Sequence, residues 1–158
     1  MTPGETASSA RGLYIGLMSG TSLDGVDGVL LDGHGHEWMT LAHVHRPFPH
    51  ELKQTLLDLN TAGADELHRS AVAAQDLTQV YVDVVRGLLA EAKVSASDVR
   101  AIGAHGQTVR HRPELGYTWQ INAPALLAEL TGIDVVADFR SRDVAAGGGR
   151  CPCARAWR

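Results

Sequence analysis

The chain has 158 residues, with 14 Lys and Arg, 18 Asp and Glu, and a formal net charge of −4. A chain near ~150 residues is expected to form one domain that buries roughly 68–70% of its unfolded surface without disulfides or metal. The slightly acidic balance argues against nucleic-acid binding through a basic face. Because no run of ~18–20 apolar residues and no signal-peptide pattern occurs, we predict a globular, cytoplasmic protein without a membrane span.

The first third of the chain carries short apolar segments separated by glycine-rich turns. Residues 1–11 are small and polar and are predicted to be disordered. Residues 12–18, 26–32 and 37–45 are predicted to be strands, because each is short, apolar and bounded by turn residues. Tight turns between such strands are typical of an antiparallel meander.

The hydrophobic period then changes from that of a strand to that of a helix. Residues 51–60 are predicted to form a short helix and residues 65–93 a long one. In the long segment Leu67, Leu77 and Leu88 belong to a stripe of apolar residues that recur at three- and four-residue steps. The stripe predicts one helix face packed on the sheet.

Strand and helix signals alternate in the next part of the chain. Strands are predicted at residues 99–104, 117–121 and 133–137, with a helix at 124–130 between the last two. Asn122 is predicted to cap that helix and Gly132 to end it. A meander followed by crossover units predicts an α/β fold with a mixed sheet and helices packed on it.

Residues 147–158 differ in character from everything before them. They combine a glycine run with three Arg, two Cys, a Pro and a Trp, and no helix or strand period is present. The helix expected to cover the strand ending near residue 137 is missing from this pattern. We interpret the segment as an aberrant tail produced by truncation or translation in a shifted frame. Cys151 and Cys153, with one residue between them, do not form a zinc-site pattern.

The turn between the first two strands carries the residues most suited to chemistry. Gly20 and Gly25 permit unusual backbone angles, and successive amides in such a turn can surround an anion. Thr21 and Ser22 add neutral hydroxyl donors. The Asp24 carboxylate repels a bare phosphate group because both are negative. It suits a phosphate site only when a cation such as Mg²⁺ lies between the two groups, directly or through water. The turn is therefore either a metal-assisted phosphate loop or an ordinary hairpin turn of the same composition.

Three motifs in the chain resemble the anhydro-N-acetylmuramic acid kinase family. They are YIGLMSGTSLDGVD at residues 14–27, GAHGQTV at 103–109 and DFRSRDVA at 138–145 with the following glycines. The resemblance extends from about residue 13 to 148. It implies the first, incomplete domain of a two-domain kinase with a ribonuclease-H-like mixed sheet of the hexokinase–actin superfamily. Residues 12–146 would form this partial ATPase-like domain.

The resemblance also implies a reaction and its ligands. Members of the family use ATP, Mg²⁺ and water to open the anhydro ring of 1,6-anhydro-N-acetylmuramic acid and phosphorylate it, giving N-acetylmuramic acid 6-phosphate during peptidoglycan recycling. The partner is thus a small amino sugar, with no nucleic acid or membrane, and full-length relatives are expected to be homodimers. Motif matching assigns Asp24 to Mg²⁺. It assigns these residues to the ATP phosphates: Gly20, Thr21, Ser22, Leu23, Asp24, Gly25, Val26 and Asp27.

A second group of polar residues follows the ends of later strands. His105, Gln107 and Thr108 are candidates for sugar hydroxyls or a carboxylate, because ligands bind at strand ends of open sheets. Arg140 and Asp143 offer a carboxylate-binding guanidinium and an acid. The alternatives are a polar turn that satisfies its own backbone and a surface ion pair.

The catalytic base is not identifiable in this chain. In the family, the resemblance assigns that role to an Asp in a later Asp-Thr-Gly-Pro-Gly-Asn motif, which this sequence does not contain. Three functions therefore remain open: a sugar kinase represented mainly by its first domain, a non-catalytic fragment with at most nucleotide-phosphate binding, and a regulatory domain on the same scaffold. We expect the chain alone to be inactive.

Overall fold

The computed structural model describes residues 12–34 and 37–147. The segment predicted to be disordered and nearly all of the tail, residues 148–158, lie outside the described residues. Seven strands and four α-helices follow one another in the described part. They are β1 (Gly12–Ser19), β2 (Gly25–His34), β3 (Glu37–Pro47), α1 (His50–Asp58), α2 (Glu66–Ala92), β4 (Val99–Ala104), β5 (Gln107–Arg112), β6 (Tyr117–Ile121), α3 (Pro124–Thr131), β7 (Val135–Ala137) and α4 (Phe139–Ala145).

The main sheet has five strands in the order β3-β2-β1-β4-β7. The strands β1, β2 and β3 form an antiparallel meander, whereas β4 pairs parallel to β1 and β7 parallel to β4. The change from antiparallel to parallel pairing follows from the connections, since only a few residues separate the first three strands along the chain, whereas helices lie between β3, β4 and β7. This confirms the predicted α/β class, the mixed sheet and the ribonuclease-H-like strand order.

The core lies between one face of the sheet and the long helix α2. The alternate residues Ile15 and Leu17 of β1 point to this side and are almost fully buried. In α2 the residues Leu77, Tyr81 and Leu88 have no exposed surface, and the helix packs on β2, β3 and α3. The apolar stripe predicted for the helix is confirmed, although its first member, Leu67, is 84% exposed.

The opposite face of the sheet retains exposed apolar side chains. The ring of Trp38 lies 5.6 Å from that of Tyr14, centroid to centroid, and Trp38 remains 56% exposed. Met18, Val136 and Phe139 are also exposed. In the described part of the chain, no helix is long and apolar enough to cross a membrane.

Two elements were not predicted from the sequence. The first is β5, which pairs with β6 in a separate two-stranded antiparallel sheet. The second is α4, a seven-residue helix directly after β7 that packs against β6. The sequence pattern therefore did not predict the helix that directly follows the strand near residue 137. Two turns of helix are too short to produce a hydrophobic period, and the segment contains two Arg.

The predicted cap of α3 is also wrong. The helix begins at Pro124, so its N-cap position is Ala123, and no side chain caps it. The Asn122 amide instead donates a hydrogen bond from Nδ2 to the Ala104 carbonyl oxygen at 3.3 Å. Asn122 thereby fastens the end of β6 to the end of β4. The predicted end of α3 at Gly132 is confirmed, with φ of 68° at that glycine.

Candidate functional site

The loop between β1 and β2 is anchored by a side chain that points inward. Leu23 is only 2% exposed and adopts a left-handed backbone with φ of 53°. Its N–H donates to the Gly20 carbonyl oxygen at 3.2 Å, which closes the turn. A left-handed conformation is unfavourable for a leucine, and burial of its side chain offsets this cost. Thr21 and Ser22 are consequently left at the exposed surface of the turn.

The other end of the loop is held against the end of β3. The Phe48 N–H donates to the Asp24 carbonyl oxygen at 3.3 Å. At Gly25 a Cβ atom would overlap the Arg46 carbonyl oxygen and would lie 2.8 Å from Pro47 Cα. Glycine is needed here because two backbones approach too closely for a side chain. The loop therefore has a fixed path at both ends.

Asp24 is suited to hold a cation at the surface of the loop. Ser22 Oγ donates to Asp24 Oδ1 at 2.8 Å, and this hydrogen bond keeps the pKa of the exposed Asp24 carboxyl below its usual value. Within residues 12–34 and 37–147, no three His, Cys, Asp or Glu side chains are grouped so that they could hold a metal. Mg²⁺ commonly takes one or two carboxylates together with substrate phosphates and waters. Asp24 fits that ligand set.

The remaining predicted phosphate-loop residues do not face the loop surface. Alternation along β2 sends successive side chains to opposite faces of the sheet. Val26 is fully buried on the core side. Asp27 Oδ1 lies 3.2 Å from both His43 Nε2 and His45 Nδ1 on the exposed face of β2 and β3. The structure thus gathers Gly20 to Gly25 in the loop and places the side chains of Val26 and Asp27 elsewhere.

A closed set of hydrogen bonds joins the end of β1 to the turn after β4. The Gly106 N–H donates to Tyr81 Oη at 3.1 Å, and Ser19 Oγ donates to the Gly106 carbonyl oxygen at 3.2 Å. Ser19 Oγ and Tyr81 Oη are 3.3 Å apart. Burial raises the pKa of Tyr81 to about 12, so its hydroxyl keeps its proton. The sequence did not predict a role for the Tyr81 hydroxyl, because Tyr81 occupies an ordinary core position of an amphipathic helix.

His105, Gln107 and Thr108 lie together at the end of β4 and the start of β5. His105 Nδ1 is 2.8 Å from the Gly106 carbonyl oxygen, and burial is the main cause that lowers the pKa of this imidazole. Gln107 is 1% exposed, and its Nε2 donates to the Gly20 carbonyl oxygen at 3.2 Å. Thr108 Oγ1 accepts a hydrogen bond from Gln120 Nε2 at 3.0 Å. The second motif is therefore connected to the loop of residues 20–25 through Gln107.

Arg140 and Asp143 lie on α4 and are not a surface ion pair. Arg140 is 7% exposed, and its Nη1 is 3.9 Å from Asp143 Oδ2. Burial is the largest cause of the lowered pKa of His105, and the positive charge of Arg140 lowers this pKa further. The hydrogen bond to Gly106 acts in the opposite direction and raises it. The third motif is therefore electrostatically linked to the second. This buried position argues against the alternative of a surface pair.

Several buried polar atoms of β5, the end of β6 and α4 have no hydrogen-bond partner. Among the described residues they are Gln107 Oε1, Gln120 Oε1, Asn122 Oδ1, Arg140 Nη1 and Asp143 Oδ2. Buried polar atoms are normally hydrogen-bonded, so unpaired ones call for a physical reason. Amide and carboxylate oxygens accept, and a guanidinium donates, which suits a ligand that carries both hydroxyls and an anionic group. Gln120 and Asn122 were not predicted as site residues; their only signal in the sequence is their polarity at a strand end.

The sequence matches a known family model and several curated relatives. The model described as anhydro-N-acetylmuramic acid kinase matches residues 12–157. A relative of that name from Bordetella petrii is 63% identical over 150 residues, which is 94% of this chain and 40% of the relative. The Bordetella pertussis relative of the same name is 62% identical over 140 residues, 89% of this chain and 37% of the relative. The chain thus spans about 40% of the length of these relatives. A match over almost all of its residues shows that the chain belongs to the anhydro-N-acetylmuramic acid kinase family.

Proposed function

We propose that this chain carries the nucleotide-phosphate site and part of the sugar site of an ATP-dependent kinase. Its substrate would be 1,6-anhydro-N-acetylmuramic acid, opened with water and phosphorylated to N-acetylmuramic acid 6-phosphate in cytoplasmic peptidoglycan recycling. Residues 12–146 would be the first of two domains. The observation that carries the proposal is the anchored loop of residues 20–25, joined by Gln107 to the second motif.

The loop has the features needed to hold the phosphates of a nucleotide. Its path is fixed before a ligand arrives, so little conformational entropy is lost on binding. The exposed hydroxyl of Thr21 can donate to phosphate oxygens, whereas Ser22 donates its one hydroxyl proton to Asp24. Phosphoryl transfer depends on positioning and on neutralising charge. Asp24 would hold Mg²⁺, directly or through water, and the ion would supply the charge neutralisation between carboxylate and phosphate.

The sugar side of the site would be formed by β5, β6 and α4. His105, Gln107 and Thr108 would contact hydroxyls of the amino sugar, with Gln120 and Asn122 as additional acceptors. Arg140 would bind the carboxylate of the muramic acid side chain, because a guanidinium pairs well with a carboxylate. The buried side-chain atoms of these elements that lack hydrogen-bond partners support this assignment, because a bound sugar could supply those partners. Asp143 would hold Arg140 in place.

The alternative is a binding module without turnover. The Asp-Thr-Gly-Pro-Gly-Asn motif expected to carry the general base is not in this sequence. A chain without a base to activate water would bind Mg·ATP and leave the sugar unchanged. Incubation of the chain with ATP, Mg²⁺ and anhydro-N-acetylmuramic acid separates the two, because only a kinase accumulates the 6-phosphate.

Titration calorimetry with Mg·ATP tests the phosphate site itself. We expect weak binding by the chain, lowered about tenfold by Asp24→Asn, which corresponds to about 1.4 kcal/mol. Replacing Mg²⁺ with EDTA should weaken binding in the parent chain and not further in the variant. Asp76→Asn, on the exposed side of α2, is the matched control. Equal affinity of the parent chain and Asp24→Asn for Mg·ATP would contradict the role of Asp24.

A further inference from the structure

The hydroxyl of Tyr81 is buried at the point where the two candidate loops meet. Tyr81 belongs to α2, has no exposed surface and lies in none of the three sequence motifs. A phenylalanine would fill the same core volume without the cost of burying a hydroxyl. The hydrogen-bond partners that the structure gives this hydroxyl are Ser19 and Gly106. One of them directly precedes the phosphate loop and the other is in the turn after β4.

The proton positions in this cluster follow from counting donors and acceptors. The Gly106 N–H must donate, so Tyr81 Oη accepts it. The Gly106 carbonyl oxygen must accept, so the proton of Ser19 Oγ is used there. The protonated Tyr81 hydroxyl then donates to Ser19 Oγ at 3.3 Å. Each hydroxyl gives one hydrogen bond and receives one, which makes a closed ring with both backbone groups of Gly106.

The turn after β4 has little freedom to compensate for a broken ring. Gly106 has φ of 76°, and a Cβ atom there would lie 2.8 Å from the Ile121 carbonyl oxygen. The adjacent His105 N–H donates to the Leu17 carbonyl oxygen at 3.1 Å, so the turn runs beside the end of β1. The position of the turn is therefore defined relative to Ser19 by the ring and relative to Gly20 by Gln107.

We propose that Tyr81 is a positioning residue whose hydroxyl couples the phosphate loop to the turn at Gly106, so that each of the two loops holds the other in place. The ligands of the two loops are those of the proposed function, whereas the coupling itself is a property of the free chain. A nucleotide held at residues 20–24 would thereby prepare the sugar side of the site. No contact between Tyr81 and either ligand is required.

Amide hydrogen exchange of the chain, without ligand, tests the coupling. In Tyr81→Phe the Gly106 amide loses its acceptor and should exchange faster whatever the role of the ring. The decisive reporter is the Leu23 amide, which donates to the Gly20 carbonyl oxygen and not to Tyr81. Coupling predicts that Leu23 exchange also rises about tenfold. Exchange of the Val94 amide, at the end of α2, should not change.

Thr78→Val is the matched control on the same helix. Thr78 is fully buried, and its hydroxyl donates to the Ala74 carbonyl oxygen within α2. This variant loses a buried hydroxyl whose hydrogen bond stays within α2, so Leu23 and Gly106 should keep their parent exchange rates once global stability is allowed for. Faster Gly106 exchange in Tyr81→Phe with unchanged Leu23 exchange would overturn the proposal.

Ser19→Ala probes the same ring from the loop side if Tyr81→Phe fails to fold. It should accelerate amide exchange at both Leu23 and Gly106, and the double variant should add little to either single one.

In a second stage Mg·ATP should shift amide resonances of residues 105–108 in the parent chain. In Tyr81→Phe the shifts of residues 105–108 should be smaller, because only Gln107 then joins them to residues 20–24. Absence of any Mg·ATP response would refute the proposed function, whereas the exchange rates of the free chain would still decide whether the two loops are coupled.

Discussion

Gln107 Nε2 donates a hydrogen bond to the Gly20 carbonyl oxygen at 3.2 Å, across 87 positions of the chain. The bond joins the first residue of β5 to the loop of residues 20–25, and the side chain is 1% exposed. Its other terminal atom, Oε1, is buried without a protein partner. The amide nitrogen of Gln107 therefore bonds to the loop, while its amide oxygen still has the capacity to accept a hydrogen bond from a ligand.

Substitutions at Gln107 should separate these two roles. Gln107→Leu removes the donor and leaves the Gly20 carbonyl oxygen with the Leu23 N–H alone, which should cost about 0.5–1.5 kcal/mol of unfolding free energy. Gln107→Glu keeps the shape but buries a carboxylate beside a carbonyl oxygen. It should be the more destabilised of the two at neutral pH and should recover partly in acid, where protonation restores a donor. Urea unfolding at two pH values measures this, and a Glu variant equal to Leu at neutral pH would contradict it.

The main sheet was predictable because its signals are local. The strands β1, β2 and β4 are short apolar runs closed by glycine or polar residues, and α2 repeats its apolar positions over 27 residues. Only the boundaries differ: β3 runs to Pro47 rather than residue 45, and β7 starts at Val135 rather than 133. Such elements depend on their own side-chain pattern, which a single sequence contains.

The missed parts of the site depend on contacts between distant segments. The sequence QTVRHR of β5 has no apolar pattern typical of a strand, and it is extended because it pairs with β6. Burial of Arg140 and the ring around Tyr81 likewise follow from packing and not from local sequence. The loop motif was recognisable, yet its residue types did not show that Leu23 points inward or that Asp27 faces β3. The directions of these two side chains are set by the path of the backbone in the folded chain.

Gly25 should tolerate no side chain, whereas Gly20 should. Gly25→Ala brings a Cβ atom onto the Arg46 carbonyl oxygen, which is backbone and can move only if β2 and β3 separate. We expect a loss of roughly 2–4 kcal/mol, in the range of severe overpacking. For Gly20→Ala the nearest atom is Ser22 Oγ at 3.4 Å, so its cost should stay within about 1 kcal/mol. Thermal unfolding of both variants checks the pair, and equal losses would contradict this account.

His105 should make stability depend on pH. Burial is the first cause of its lowered pKa, so the folded chain binds a proton there less readily than the unfolded chain. The unfolded state then binds more protons, and unfolding free energy rises with pH up to the unfolded pKa of about 6.5. Acidification below that value should therefore destabilise the fold. His105→Asn keeps a donor near the Gly106 carbonyl oxygen and should lose less stability between roughly pH 7.5 and 5.5. Urea midpoints across that range measure the difference, and identical slopes for both chains would refute it.

Ser22 should control the ionisation of Asp24 without being needed for the fold. The hydrogen bond from Ser22 Oγ is the first cause of the lowered pKa of the Asp24 carboxyl. Ser22→Ala should therefore raise that pKa toward the ordinary value, since the charged form loses its donor. Ser70→Ala, whose hydroxyl donates to the Leu67 carbonyl oxygen on α2, should leave the Asp24 titration unchanged. The carboxyl carbon chemical shift of Asp24, followed through an acid titration, gives the midpoint directly.

Because the Asp24 carboxylate remains charged at neutral pH in the parent chain and in Ser22→Ala, Mg²⁺-dependent ATP binding should differ between them mainly in acid. A variant whose midpoint stays at the parent value would show that backbone donors, and not Ser22, keep Asp24 ionised.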